Sequence, residues 1–103
     1  MVVKILWTEG AINDLKDIFD YYKYKAGRKT ALKITNAILK KPKKLKKNPE
    51  IGQKETLLSE ISVDMRYLVE GNYKIVYWSE NELIYIATVF DCRQNPDKLL
   101  KSF

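Results

Sequence analysis

Apolar residues recur at helical spacing in the first half of the chain and at near two-residue spacing in the second. Residues 2–7 (VVKILW) are apolar and β-branched, which predicts a short opening strand. Thr8 follows as an N-cap, with Glu9 in the first helical turn, where the helix dipole favours an acid. Ala11, Ile12, Leu15, Ile18, Phe19 and Tyr22 then form an apolar stripe. Asp14, Asp17 and Asp20 recur opposite it and read as the wet face. This helix is expected to run to about Lys25 and to end at Gly27. A second begins near Arg28, with Ala31, Ile34, Ala37, Ile38 and Leu45 inward and Lys29, Lys33, Lys40, Lys44 and Lys47 outward. Pro42 interrupts it. Inside a helix proline removes a hydrogen bond and clashes with the preceding turn, at about 3 kcal/mol. A break is therefore expected, with Pro42 opening a short second segment. The NPEIG segment at 48–52 then begins a loop.

Beyond position 60 the period changes. Residues 65–69, 73–78 and 83–91 are rich in Tyr, Val and Ile and predict three strands. Gly71-Asn72 makes one hairpin turn, and the four residues 79–82 the next. The expected fold is α+β in the order β-α-α-β-β-β. Its N-terminal helical hairpin packs on one face of a mainly antiparallel sheet, and residues 1–103 form one domain.

A two-residue turn at 71–72 pairs Glu70 with Tyr73, Leu68 with Ile75 and Arg66 with Tyr77. A four-residue loop at 79–82 pairs Trp78 with Leu83, Tyr77 with Ile84 and Ile75 with Ile86. One face then carries Leu68, Tyr73, Ile75, Tyr77, Ile84 and Ile86, a floor for the helices. The other carries Met65, Tyr67, Val69, Lys74, Val76, Trp78, Leu83, Tyr85 and Ala87. A bulge would exchange positions between these sets. Both faces are largely apolar, yet two helices joined by a short turn cover only one. An antiparallel sheet with one covered face ordinarily shows polar residues on the other. The uncovered face is therefore expected to receive a partner. The alternative is closure by the 52–62 loop and by Leu99, Leu100 and Phe103.

Composition narrows the chemistry. The chain is 46% hydrophobic and 31% charged, the balance of a globular protein. It has no stretch apolar enough to cross a membrane, and residues 1–7 lack the features of a signal peptide, so a cytoplasmic location is expected. Cys92 is the only cysteine and there is no histidine. That excludes an internal disulfide, a cysteine zinc site and every histidine-dependent nucleophile. No metal or cofactor is implied. The net charge of +6 is unevenly spread. Positions 23–54 hold twelve Lys or Arg and one acid, Glu50, whereas the remainder holds seven bases and twelve acids. Such a field attracts nucleic acid, acidic protein or anionic membrane without choosing among them.

An ordered set of motifs adds a resemblance. AINDLKDIFDYY at 11–22 is followed by Gly27, Ala31 and NPEIG. Arg66, the YKIVY strand at 73–77 and RQNP at 93–96 complete the set. Over about residues 3–100 the chain resembles the RelE/ParE toxin superfamily, and its C-terminal half resembles the ParE branch. The resemblance implies the toxin of a type II toxin–antitoxin system, bound by an acidic antitoxin in a hetero-oligomeric complex. ParE-like members are gyrase poisons that trap the topoisomerase on cleaved DNA, with no catalysis of their own. RelE-like members are ribosome-dependent mRNA endonucleases that use basic side chains on the sheet. Carried onto this chain, the RelE motif falls on Lys74 and Arg93. Its first-strand lysines fall on Met65 and Tyr67, and no tyrosine follows Arg93. Cleavage needs a proton acceptor as well as positive charge, so the resemblance favours DNA gyrase over ribosome and mRNA as target.

The candidate antitoxin- or target-binding residues are Arg66, Tyr67, Lys74, Trp78, Tyr85 and Arg93. Lys74 has few structural uses at a sheet centre, and Arg93 either meets an antitoxin acid or pairs locally with Asp91. Arg66 reads as a cation buried against Tyr77 or as a contact residue. Trp78 and Tyr85 read either as core or as a binding platform.

Overall fold

A computed structural model describes residues 4–55, 64–94 and 97–100. The elements run β1 (Lys4–Trp7), α1 (Glu9–Ala26), α2 (Arg28–Lys40), a 3-10 turn (Lys41–Lys46), β2 (Gln53–Lys54), β3 (Arg66–Glu70), β4 (Tyr73–Glu80), β5 (Leu83–Asp91) and α3 (Asp97–Leu100). The five strands form one sheet in the order β1-β5-β4-β3-β2. Strand β1 lies parallel to β5, and the other pairings are antiparallel. The two-residue β2 falls within the segment expected to be loop.

The helix boundaries follow from their caps. The Thr8 hydroxyl accepts from the Ala11 N–H at 3.2 Å, and Gly27 ends α1 at φ 94°, which glycine adopts without a Cβ penalty. Its N–H donates to the Lys23 carbonyl. At Pro42 the chain does not turn away but tightens into the 3-10 turn, with the proline in its first residues, where a missing N–H costs least. Pro42 and Leu45, three apart and so on one side of such a turn, are both buried.

The β3–β4 register is the expected one, with Arg66 opposite Tyr77 and Glu70 opposite Tyr73. The β4–β5 register differs. The turn has two residues, Asn81 and Glu82, both at positive φ (53° and 65°), so Glu80 pairs with Leu83 and Tyr77 with Ile86. The slip from expectation is two residues, which preserves the faces of Ile84 and Ile86. Between Val76 and Tyr77 a bulge then leaves Ala87 as the extra residue of β5 and changes the phase beyond it. Val89 and Asp91 thereby align with Ile75 and Tyr73.

Under α1, α2 and the 3-10 turn lie Leu68, Tyr73, Ile75, Tyr77, Ile84, Ile86 and Val89, packed on Ala11, Ile18, Ile38 and Leu45. Ile12 is not part of that stripe: it is 53% exposed. Asp14 is not a purely solvated residue either. One carboxylate oxygen accepts from the Thr88 hydroxyl and from the Val89 N–H, while the Thr8 hydroxyl donates to the carbonyls of Ile86 and Ala87. The side chains of the N-cap Thr8 and of Asp14 in α1 thus satisfy backbone groups around the bulge. On the other face Met65, Val76, Phe90 and Leu99 form a second buried cluster, with Tyr67, Trp78 and Ala87 half-buried beside it. This face is partly closed by its own chain, through Leu99, and is not the open apolar sheet expected. Phe103 and positions 56–62 of the loop lie outside the described residues, as does the Leu100 side chain.

Candidate functional site

The bulge decides which candidate residues meet. Lys74 stands opposite Phe90 on the far face. Its Nζ lies 2.9 Å from Glu55 Oε2 and 4.3 Å from the centroid of the Tyr67 ring. The Glu55 side chain is 2% exposed and that of Lys74 22%, so this cation is enclosed by a carboxylate and an aromatic face. The Tyr67 hydroxyl donates to Gln53 Oε1 at 2.8 Å, which ties β3 to β2.

Arg93 is elsewhere. It lies just past β5, on the side facing α1, with Asp91 opposite Tyr73. Its guanidinium makes a two-pronged contact with Asp91, Nε to Oδ1 at 3.0 Å and Nη2 to Oδ2 at 2.9 Å. Those hydrogen bonds hold the Asp91 carboxyl below its ordinary range and raise the Arg93 value further, with Tyr22 contributing to the latter. The Tyr73 hydroxyl donates to that of Tyr22 at 3.4 Å, and burial raises the Tyr73 phenol well above its usual value. A cleft of about 620 Å³ opens here between α1 and the end of β5, lined by Asp14, Asp17, Tyr21, Tyr73, Asp91 and Arg93 among others. Lys74 and Arg93 therefore occupy opposite faces of the sheet and do not share a site.

Arg66 is a clamp for the loop before β2. Nε meets Asp64 at 3.1 Å, and Nη1 donates to the Glu50 and Gly52 carbonyls at 3.2 and 3.0 Å. Opposite it, the buried Tyr77 hydroxyl donates to the Pro49 carbonyl at 2.8 Å and accepts from the Gly52 N–H at 3.0 Å. Burial pushes this phenol upward, so it stays protonated as a donor. A Cβ at Gly52 would fall 2.4 Å from the Tyr77 hydroxyl and 2.9 Å from the Tyr67 carbonyl, so only glycine fits. Trp78 and Tyr85 stack face to face, ring centroids 4.8 Å apart at 11°, near the β4–β5 turn. Both are half-buried, between core and platform.

Among the described residues no cluster of His, Cys, Asp or Glu is placed to hold a metal, and no helix is long and apolar enough to cross a membrane. Comparison with known proteins supplies what geometry leaves open. Residues 5–96 match the family model of the ParE toxin of the type II toxin–antitoxin system parDE. The chain belongs to the ParE toxin family.

It is accordingly the toxin component of a two-part system, and an antitoxin is its partner. Among solved structures it is similar to one titled as the chromosomal ParDE toxin–antitoxin system from P. aeruginosa. That match has 24% identity and a TM-score of 0.73, and covers 87% of this chain and 96% of that one. At that identity the likeness speaks for the fold. No curated protein matches the chain in sequence. Within this toxin the residues whose roles sequence reasoning missed are Glu55, Asp14 and Tyr77, each a buried or half-buried polar group with partners in a loop or beside the bulge. Asp14 was read as part of the wet face of α1 and Tyr77 as floor under the helices, and Glu55 carried no signal.

Proposed function

We infer that the toxin acts by binding and inhibiting DNA gyrase, without catalysis of its own, and that an acidic antitoxin neutralises it in the cytoplasm. The observation that carries this reading is the separation of Lys74 from Arg93. A phosphodiester-cleaving site needs a proton acceptor and a charge on the scissile phosphate at one place. Here the two bases inherited from that motif are on opposite faces, each held by its own carboxylate. The chain has no histidine to substitute. Membership of the ParE family supports the same target. For the antitoxin, the exposed Val69, the Trp78–Tyr85 stack and the net charge of +6 together favour a segment that is both apolar and acidic.

The test is induction of the toxin without its antitoxin, with replication, translation and mRNA integrity followed in parallel. Inhibited replication and DNA damage with translation initially intact is the expected result, together with gyrase-dependent linear DNA in a purified supercoiling reaction. Immediate arrest of protein synthesis, with mRNA cut at ribosome-occupied codons, would overturn it.

A further inference from the structure

The 3-10 turn concentrates charge in a way the toxin reading does not use. Pro42 and Leu45 are fully buried against the sheet side, and every other residue from 40 to 47 is lysine. Lys40, Lys43, Lys44, Lys46 and Lys47 are exposed, and Lys41 is half-buried. With three residues per turn and about 2 Å rise, positions three apart stack in rows spaced by ~6 Å. One row is Lys40, Lys43 and Lys46, and the next is Lys41, Lys44 and Lys47. The ion pairs found among the described residues belong to Arg66, Lys74 and Arg93, and none involves these six lysines. Lys4 adds a further cation across a groove of about 220 Å³ that Lys43 and Lys46 border. Six like charges on eight residues repel one another, a cost that a purely solvated surface does not require.

We propose that this lysine double row is a binding surface for the phosphate backbone of duplex DNA, giving the toxin sequence-independent affinity of its own. It goes beyond gyrase inhibition, because it needs no gyrase. Two features choose DNA over an acidic polypeptide. Protein interfaces are built round an apolar core, whereas both apolar residues of the turn point inward. Phosphates need only point charges, and their spacing suits the rows: alternate phosphates of one strand lie ~6.8 Å apart along the duplex axis. The cations are all lysine, which lacks the planar fork that reads guanine edges, so contact with the backbone and not with base sequence follows. The apolar floor of the adjoining groove, Ile5, Trp7 and Leu39, makes an acidic peptide the rival occupant.

The test is titration of the full-length chain against a labelled duplex of arbitrary sequence over a range of salt. Three to five phosphate contacts give a slope of log K against log salt of about −3 to −4.5. Lys43→Glu/Lys46→Glu should reduce that slope by about 2 and weaken low-salt binding at least tenfold, with unchanged circular dichroism. The milder Lys43→Gln/Lys46→Gln should move both in the same direction. Lys16→Glu/Lys23→Glu on α1 removes the same net charge and should have much the smaller effect. Equal loss in that control would overturn the assignment, since net charge alone would then account for binding. So would a duplex affinity undetectable at low salt, or tighter binding of an acidic peptide of matched charge.

Discussion

The two faces of the sheet are built from similar residues and held in different ways. On the helix side, Leu68, Tyr73, Ile75, Tyr77, Ile84, Ile86 and Val89 are covered by α1, α2 and the 3-10 turn, and apolar burial is the main hold. On the far side, the described chain offers little more than Leu99 as a cover, and Val69 remains 49% exposed. There the sheet centre is closed by polar means: Lys74 is laid over Tyr67 and paired with the buried Glu55. Apolar alternation tells which residues share a face. It does not tell how much chain is left to cover that face, and this decides whether a lysine or a leucine finishes it.

The widest separation between the two faces is expected on truncation. Ile75→Ala, at a fully buried position under the helices, should cost about 2–5 kcal/mol in denaturant unfolding. Val69→Ala on the far side should stay within ~0.5 kcal/mol. Comparable losses at the two would mean that the far face is covered as completely as the near one.

Next in size is the pin between the helix-side core and the loop before β2. Tyr77→Phe keeps the ring but leaves the buried Gly52 N–H without its acceptor and the Pro49 carbonyl without its donor. A loss of about 1–3 kcal/mol is expected, with faster amide exchange at Gly52. Unchanged exchange there would show that the loop is held by Arg66 alone.

The far face gives the third. Glu55→Gln removes the charge that meets Lys74. Breaking a fully buried pair costs about 3–5 kcal/mol. Because Lys74 keeps 22% of its side chain in water, the expected loss is nearer ~1–2 kcal/mol. Lys74→Met together with Glu55→Leu should recover most of it, as an apolar closure of a face otherwise sealed by charge. Failure of the double variant to recover would make the pair more than a seal.

Much of the fold was legible in the sequence, and its failures gather at the β4–β5 turn and at the bulge beyond it. The helices, their caps at Thr8 and Gly27, the break at Pro42 and the β3–β4 register all carry local signals. The β4–β5 turn was misread because Glu82, at φ 65°, is not a residue that announces a left-handed turn. That slip was harmless, since two residues preserve parity. The bulge at Ala87 was not harmless. No local residue marks it, and it rotates everything after it: with unbroken alternation Asp91 and Arg93 would follow Tyr85 and Ala87 to the far face, beside Lys74. The bulge carries them to the α1 side. The role of Asp14 was hidden for the same reason, because its Val89 partner is an N–H beside the bulge. The candidate site was thus legible as a set of residues but not as a geometry.

The smallest effect concerns that displaced end of β5. The Asp91 carboxyl is held below its ordinary value of 3.8, first by the hydrogen bonds from Arg93. A depressed carboxyl contributes stability that is present above the unfolded-state value and is lost as pH falls through the folded-state one. The wild-type melting temperature should therefore show an extra decline below 3.8. In Arg93→Ala the contribution is already missing at neutral pH, so that variant should start lower and converge on the wild type as the solution becomes more acidic. Arg93 is largely in water, so screening keeps the offset small, and added salt should shrink it further. The same pair of melting curves also discriminates between the faces. Lys74→Ala acts on a different carboxylate, Glu55, and should leave the convergence of the Arg93 curves untouched. An Arg93→Ala curve that stays parallel to the wild type down to the lowest pH would place the effect of Arg93 in its contact with Tyr22 instead of in its pairing with Asp91.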